Sequence, residues 1–296
     1  MPLLIEQTTD ASCSLEEASE ALAALNFDPR EEESAREAAL WLKRLCNNRE
    51  FLADMLIDRL SGRRSGELES GYGPQALLLS PLRGNMFLRA NIWPAEHDLC
   101  FRTSGARTFV YGVPHDHNFS FLTCGYLGPG YESDYFDYDY EAVIGYPGED
   151  ARLRFVERSS LHEGKLMLYR AHRDVHSQLP AQSLSVSVNV MHVDPAQGWF
   201  DQYGFDLESG EVTRTLSPNT TEVFLRTAVA SGSGEAAEFA RWVGRSHPSD
   251  RLRLASFEAR AGVADDRDAV WREGEASGSL LVAAVAKGRR EAASVV

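Results

Sequence analysis

The sequence is poor in cysteine and has no long hydrophobic run. Only four of its 296 residues are cysteine, at Cys13, Cys46, Cys100 and Cys124, and no two of them form a CxxC pair. Scattered cysteines predict free thiols in a reducing compartment, so we expect a cytoplasmic protein without a disulfide framework. No window approaches the roughly 18 uninterrupted apolar residues of a membrane-spanning helix. The first residues also lack the basic and apolar regions of a signal peptide.

Basic residues are scarce as well. Lysine and arginine total 30 against 44 aspartates and glutamates, which gives a formal net charge of -14. A surface for nucleic acid or anionic lipid needs clustered cations, and no cluster here is longer than the arginine pair of Gly288–Arg290. We therefore expect neither nucleic acid nor a membrane as partner. The sequence also lacks a G-x-G-x-x-G loop, a Walker loop and a G-x-S-x-G elbow.

Hydrophobic periodicity divides the chain into three segments. Residues 1–62 have apolar residues at helical spacing and two helix-start signals, the Ser14 capping box and the Asp28-Pro29 pair. Residues 76–215 consist of short β-type runs separated by turn residues, which is typical of an all-β sandwich or barrel. Residues 217–296 return to helical periodicity. The stretch between the first two segments, 63–74, is predicted to be a linker.

The β-type segment contains one clear alternation. From Leu184 to Val190, the aliphatic residues point to one face of a predicted strand. Ser185, Ser187 and Asn189 then point the other way, towards solvent or a polar cavity. The runs that predict strands are Met86–Trp93, Thr108–Gly112, His117–Tyr126, Leu153–Glu157, Lys165–Tyr169 and Leu184–His192.

Six of the eight histidines lie within residues 97–176. His115 and His117 are the strongest pair, because residues i and i+2 of a strand point to the same face and could bind one cation. Imidazole suits iron, zinc, nickel, copper and manganese ions. The same parity puts Phe119 and Phe121 beside them as an apolar shell that keeps solvent away from a metal.

A third ligand is expected after the predicted strand Lys165–Tyr169. His176 is favoured because it precedes a strand-like return, and His172 is the alternative. Glu132 is a further alternative that would add a carboxylate ligand.

These residues resemble the two metal-binding motifs of the cupin superfamily. Gly112, His115 and His117 match the first motif, a glycine followed after a short gap by His-x-His. Gly164 and His176 match the second motif loosely, with one extra residue and without its Pro-x-Gly. The resemblance covers most of the β-type segment. It implies a double-stranded β-helix, the jelly-roll barrel of cupins, here with N- and C-terminal helical extensions.

The glutamate of the first cupin motif is missing, since Phe121 or Leu122 stands near its position. The chain is therefore similar to the thiol dioxygenase branch, whose members hold Fe(II) with three histidines and activate O2 without a keto-acid cosubstrate. That similarity implies His115, His117 and His176 as iron ligands. Zinc, manganese and nickel are the alternative metals.

The resulting expectation is a mononuclear non-heme Fe(II) oxygenase that acts on a small polar, anionic metabolite with O2 and without 2-oxoglutarate. Four arginines could bind a substrate carboxylate, and Arg170 is favoured because it is closest to the site; the others are Arg89, Arg102 and Arg107. Tyr126 and Tyr135 are the tyrosines expected to orient the substrate. The H-x-D triplet that ends at Asp174 is a minor alternative, typical of keto-acid-dependent oxygenases.

Two other functions remain open. The same histidines with zinc, manganese or nickel would support lyase, isomerase or hydrolase chemistry through Lewis-acid catalysis. The third hypothesis is a non-catalytic ligand-binding module whose helices recruit a partner. The chain is also a candidate homodimer.

Overall fold

The structure is a computed structural model that describes residues 1–62, 75–217 and 219–294. The linker predicted at 63–74 lies outside these residues. The chain divides into two compact units, the first made of Met1–Tyr140 with Arg152–Gln197 and the second of Glu141–Ala151 with Gly198–Val296.

The first unit contains most of the β structure. Its helices are α1 (Leu15–Leu25), α2 (Glu32–Asn47), α3 (Phe51–Leu60) and α4 (Leu99–Ser104). Its strands are β1 (Leu3–Leu4), β2 (Ala76–Leu78), β3 (Met86–Trp93), β4 (Phe121–Leu127), β5 (Glu132–Asp137), β6 (Arg154–Ser160), β7 (Leu166–Tyr169), β8 (Val175–Gln178) and β9 (Ser185–His192).

These strands form two antiparallel sheets. The larger sheet has the order β1-β7-β4-β9-β3-β2, and the smaller has the order β6-β5-β8. The antiparallel β structure flanked by helices agrees with the sequence prediction. No sheet of the described residues closes on itself, so a complete jelly-roll barrel is not seen in them.

One face of the six-stranded sheet packs against helices, and we call it the helix face. Leu122 and Val188 of the sheet share a buried apolar cluster with Leu22 of α1 and Leu42 of α2. Each fully buried aliphatic side chain of this kind contributes about 1.5–3 kcal/mol to folding. The predicted alternation of β9 is therefore confirmed for its valines, whereas Leu184 precedes the strand and is 50% exposed.

The opposite side of this sheet has polar residues at its centre, and we call it the polar face. Strand register places Arg89, Asn189 and Thr123 side by side across β3, β9 and β4. Asn91 pairs with Ser187 one step further along, and Asn189 Nδ2 donates to Asn91 Oδ1 at 3.1 Å. Apart from Arg89, these side chains are buried. The polar side chains of β9 thus face the protein interior.

Two predicted local structures are wrong. Thr108–Gly112 is no strand, because a 3-10 helix covers Ala106–Phe109 and both Val110 and Gly112 have left-handed φ angles. Helix α2 begins at Glu32 instead of at the Asp-Pro pair. Asp28 does not cap it, because its carboxylate accepts from the backbone and the guanidinium of Arg30.

The second unit consists of a hairpin followed by helices. Its elements are β10 (Tyr203–Phe205), β11 (Val212–Thr215), α5 (Thr220–Ala230), α6 (Gly234–Ser246), α7 (Asp250–Val263), α8 (Arg267–Glu275) and α9 (Leu280–Ser294). Ser249 caps α7 as predicted, since its hydroxyl accepts from the backbone N–H of Leu252. Within the described ranges, no helix has the length and apolar character needed to cross a membrane.

Candidate metal centre

The backbone brings the three predicted histidines together. His115 and His176 form an isolated antiparallel bridge, in which each backbone N–H donates to the other residue's carbonyl, at 3.0 and 2.9 Å. The carbonyl of His117 accepts from the N–H of His172 at 2.7 Å. Neither member of the His-x-His pair lies in a regular strand, because β4 begins only at Phe121. Strand parity was therefore the wrong reason for expecting the pair to converge.

The three imidazoles form a compact, buried cluster. The ligand atoms of His115, His117 and His176 all lie within 4.8 Å of one another, and Nε2 of His117 is 3.1 Å from Nε2 of His176. Two nitrogens bound to one ion at 2.0–2.1 Å would be separated by about 2.9 Å at a right angle and about 3.4 Å at a tetrahedral angle. The observed Nε2 separation is within that range. In the described part of the chain, no other three His, Cys, Asp or Glu residues are grouped in this way.

The cluster favours neutral imidazoles. Burial lowers the pKa of His115, and it lowers the pKa of His117 and His176 well below the ordinary value, with a further contribution from the charges of neighbouring histidines. Nδ1 of His115 donates to the carbonyl of Val113 at 2.6 Å, which leaves its Nε2 with a lone pair.

The facing Nε2 atoms of His117 and His176 test whether a metal ion fits. Nδ1 of His117 and of His176 is buried and has no hydrogen-bond partner among the residues described. Without a cation, the facing Nε2 atoms of these two rings must share a proton to avoid opposing lone pairs. A cation removes that need, because both lone pairs can bind it. The donor set of three neutral imidazoles therefore fits a divalent transition metal.

Aromatic rings enclose the cluster. Phe119 lies 4.8 Å from His117 between ring centroids, and Phe121 meets the same imidazole edge-on at 5.0 Å. Tyr169 stacks on Phe121 at 4.5 Å. The two phenylalanines therefore lie beside His117, where the sequence predicts them, and limit the access of water.

Two buried tyrosines lie beside His176. Tyr135 stacks parallel to His176 at 6.3 Å, and its hydroxyl lies 2.8 Å from that of Tyr169. Burial raises the pKa of Tyr135 to about 12 and that of Tyr169 well above its usual value. Both therefore remain phenols that can donate a hydrogen bond. Sequence analysis missed Tyr169, because cross-strand register, not spacing, brings it to the cluster.

Arg170 binds a carboxylate of the protein itself. Its Nη2 donates to Oδ1 of Asp174 at 2.6 Å, and its Nε donates to Oδ2 at 3.0 Å. Asp174 is fully buried, and the pair closes the turn that leads to His176. Arg170 therefore positions this turn, and the hydrogen bonds described for its guanidinium are made to Asp174 and to the carbonyl of Met1. The engagement of Asp174 also excludes it from the metal-binding group, so the H-x-D alternative does not fit.

The side chains of the remaining predicted site residues lie outside the group of three histidines. The Tyr126 hydroxyl donates towards the carbonyls of Asn48 and Arg49, on the helix face. Glu132 is exposed at the start of β5, with its side chain on the opposite side of the strand from Tyr135. The imidazole of His172 packs on the Tyr140 ring at 4.3 Å. None of these residues belongs to the group of three histidines.

Comparison with known proteins yields only distant structural likenesses. No family model and no curated protein matches the chain. Salicylate 1,2-dioxygenase from Pseudaminobacter salicylatoxidans has 9% identity and a TM-score of 0.24, over 63% of this chain and 37% of that one. The chain thus spans well under half of that dioxygenase. The DMSP lyase DddQ from Ruegeria pomeroyi DSS-3 has 12% identity and a TM-score of 0.24, over 66% of this chain and 78% of that one. TM-scores this low do not establish a shared fold.

Proposed function

We propose that the protein is a mononuclear non-heme Fe(II) oxygenase that acts on a small polar metabolite without 2-oxoglutarate. The observation that supports this most is the buried group of three histidines, in which two Nε2 atoms lie 3.1 Å apart. In this proposal residues 76–215 are a cupin-like barrel between helical segments 1–62 and 217–296. The protein would be cytoplasmic and a candidate homodimer.

The ligand set favours a metal that keeps open positions and positive charge. Three neutral imidazoles leave the full 2+ charge of the ion uncompensated, so an anionic substrate group is the preferred additional ligand. Iron held in this way supplies one-electron redox chemistry and reactivity with O2. His115, His117 and His176 would hold the ion.

The other residues of the site shape the space beside the ion. Phe119 and Phe121 exclude water, which strengthens the electrostatic interactions inside the site. Tyr135 and Tyr169 present protonated hydroxyls that can orient a substrate oxygen. The Arg170–Asp174 pair fixes the turn that leads to His176.

A non-redox metalloenzyme is the second candidate. Three histidines with an open fourth position are also a zinc set, and zinc would polarise a carbonyl or activate water for hydrolysis, elimination or isomerisation. The Nε2 separation of 3.1 Å is compatible with either metal.

Oxygen consumption separates the two candidates. Protein loaded with Fe(II) is assayed against a panel of small thiols and hydroxy- and amino acids in an oxygen electrode, and protein loaded with zinc is assayed without oxygen. The proposal predicts O2 uptake coupled to product, which His117→Ala abolishes and the exposed His162→Ala leaves unchanged. Turnover by the zinc protein under strict anaerobiosis would favour the non-redox candidate. Substrate binding without turnover in both assays would favour a ligand-binding module.

A further inference from the structure

Helix α5 of the second unit is apolar on two opposite sides. Its inner side places Leu225 and Val229 in a buried cluster with Val243 of α6. Its outer side is an exposed stripe at helical spacing, made of Thr220, Val223, Phe224, Thr227 and Ala228. A helix that is apolar all round is normally buried all round, because a helix that faces water carries charged or polar residues on that side. The outer side of α5 is therefore expected to be covered.

The two charged residues of α5 do not interrupt this stripe. Arg251 of α7 lies 2.6 Å from Glu222, and Glu258 of α7 lies 3.8 Å from Arg226. Both charged side chains of α5 are thus directed to α7. The outer side of the helix consists only of uncharged side chains.

Helix α6 extends this exposed apolar surface. The rings of Phe239 and Trp242 stack at 5.7 Å. Gly244 faces α7, since a Cβ atom there would lie 3.3 Å from the Phe257 ring, whereas Val243 shares a cluster with α5. At 3.6 residues per turn, Phe239 lies beside Val243 and away from Gly244, which is the side nearer α5. We define the α5–α6 face as Val223, Phe224, Thr227, Ala228, Phe239 and Trp242.

The area of this face matches one side of a protein interface. Phe224, Phe239 and Trp242 are 66%, 54% and 50% exposed, and at about 200 Å² per aromatic side chain they offer about 350 Å². Val223, which is 60% exposed, adds to this area. One partner in a standard interface buries about 800 Å², of which a little more than half is apolar. The face therefore supplies most of the apolar area that one partner needs.

The distribution of charge favours a second copy of the chain as that partner. Residues 221–296 contain 11 acidic and 11 basic residues, so the whole net charge of -14 belongs to residues 1–220. Two copies that meet through 221–296 bring neutral segments together, whereas contact through 1–220 opposes like charges. Exposed residues of both signs, Glu238, Arg241 and Arg245, lie on α6 near the aromatic pair. A two-fold axis allows each sign to meet its opposite.

We propose that the α5–α6 face is the contact surface of a symmetric homodimer. In a two-fold dimer the same patch of each copy meets its equivalent, so the outer side of α5 is covered in both copies at once. Phe224 and Trp242 are the expected anchors, because large aromatic side chains dominate the energy of most interfaces. The inference does not depend on the proposed chemistry, since the face contains none of the three histidines.

Sedimentation equilibrium of the full chain tests this proposal. We expect wild-type protein to form a particle of twice the chain mass of 32.8 kDa. Its Kd should be about 10 μM or tighter. Phe224→Glu and Trp242→Glu should each raise the Kd at least about thirtyfold, because each places an unpaired charge in the apolar centre of the contact. Phe224→Leu keeps an apolar side chain and should raise the Kd less than about tenfold.

Leu280→Glu is the matched control. Leu280 is 69% exposed at the start of α9, which packs against α7 and α8, so this variant adds the same charge away from the α5–α6 face. It should keep the wild-type Kd. The replaced side chains are all at least half exposed, so each variant should fold, and circular dichroism verifies its helix content.

Three results would contradict the inference. A wild-type protein that is monomeric at about 100 μM would overturn it. Binding of that monomer to phosphatidylcholine vesicles, if lost in Phe224→Glu, would then identify a lipid surface as the occupant of the face. A dimer that keeps its Kd in both Phe224→Glu and Trp242→Glu would also overturn the proposal. A dimer that Leu280→Glu dissociates as strongly as Phe224→Glu would place the contact elsewhere.

Discussion

The two faces of the six-stranded sheet are built from the same strands and serve different ends. On the helix face, Leu122 and Val188 pack with α1 and α2 in an apolar cluster. On the polar face, their strand neighbours Thr123 and Asn189 are equally buried but polar. The first arrangement stabilises the fold, because burial of apolar surface is its main driving force. The second costs desolvation, which is recovered only through hydrogen bonds within the face or to a ligand.

Apolar truncation on the helix face should have the largest effect on stability. Leu42 of α2 is fully buried among other aliphatic side chains. We expect Leu42→Ala to lower the free energy of unfolding by about 2–5 kcal/mol through lost burial and a residual cavity. Urea denaturation measures this, and the folded variant should keep the metal stoichiometry of the wild type. A variant that is as stable as wild type but has lost its metal would reverse the assignment of the two faces.

Breaking the ion pair beside the cluster should come next. Arg170→Met leaves the buried Asp174 carboxylate without its main partner. Arg170 is a quarter exposed, so solvent screens part of the ion pair. We expect the free energy of unfolding to fall by about 2–3 kcal/mol, measured by thermal or chemical denaturation. Because the pair holds the turn before His176, metal affinity should fall as well. Arg170→Lys should restore part of both quantities, and an unchanged affinity in Arg170→Met would show that the turn needs no such support.

Metal binding should stabilise the protein through the cluster alone. A metal at a concentration of about 100 times its Kd adds about 2.7 kcal/mol to the free energy of unfolding. His117→Ala should abolish this gain, so that the free energy of unfolding of the variant is the same with and without metal. Differential scanning calorimetry with and without chelator gives both values. A metal-dependent gain that persists in His117→Ala would place the metal elsewhere.

The smallest effect is expected at Tyr126. Its hydroxyl bonds backbone carbonyls on the helix face, so Tyr126→Phe should cost about 0.5–1.5 kcal/mol and leave metal affinity unchanged. Denaturation and metal titration of the same sample test both parts. A change in metal affinity larger than the change in stability would connect Tyr126 to the cluster after all.

The sequence predicts which histidines lie together, but not why they do. The pattern selected His115, His117 and His176, and the structure brings these three side chains together. Strand parity does not hold for the His-x-His pair, which lies before β4. Parity counted from Phe121 assigns Tyr126 to the face of the sheet opposite Phe121. A register shift near Gly125 interrupts the regular pairing at the end of β4.

What the sequence could not predict is contact between distant strands. Arg89 precedes the histidines by more than twenty residues, and only the pairing of β3 with β9 and of β9 with β4 brings it to the polar face. Tyr169 joins the cluster through the pairing of β7 with β4. Proximity along the chain favoured Arg170, but that arginine is bound by Asp174.

The most direct test of the central claim is the metal content of protein purified without added metal and without oxygen. The account predicts about one iron per chain in the wild type and in His162→Ala, and none in His115→Ala or in His176→Ala. One zinc, manganese or nickel per chain with the same dependence on the histidines would favour the non-redox metalloenzyme over the oxygenase. A wild-type protein that binds no metal, or that retains it without His115, would contradict the three-histidine centre.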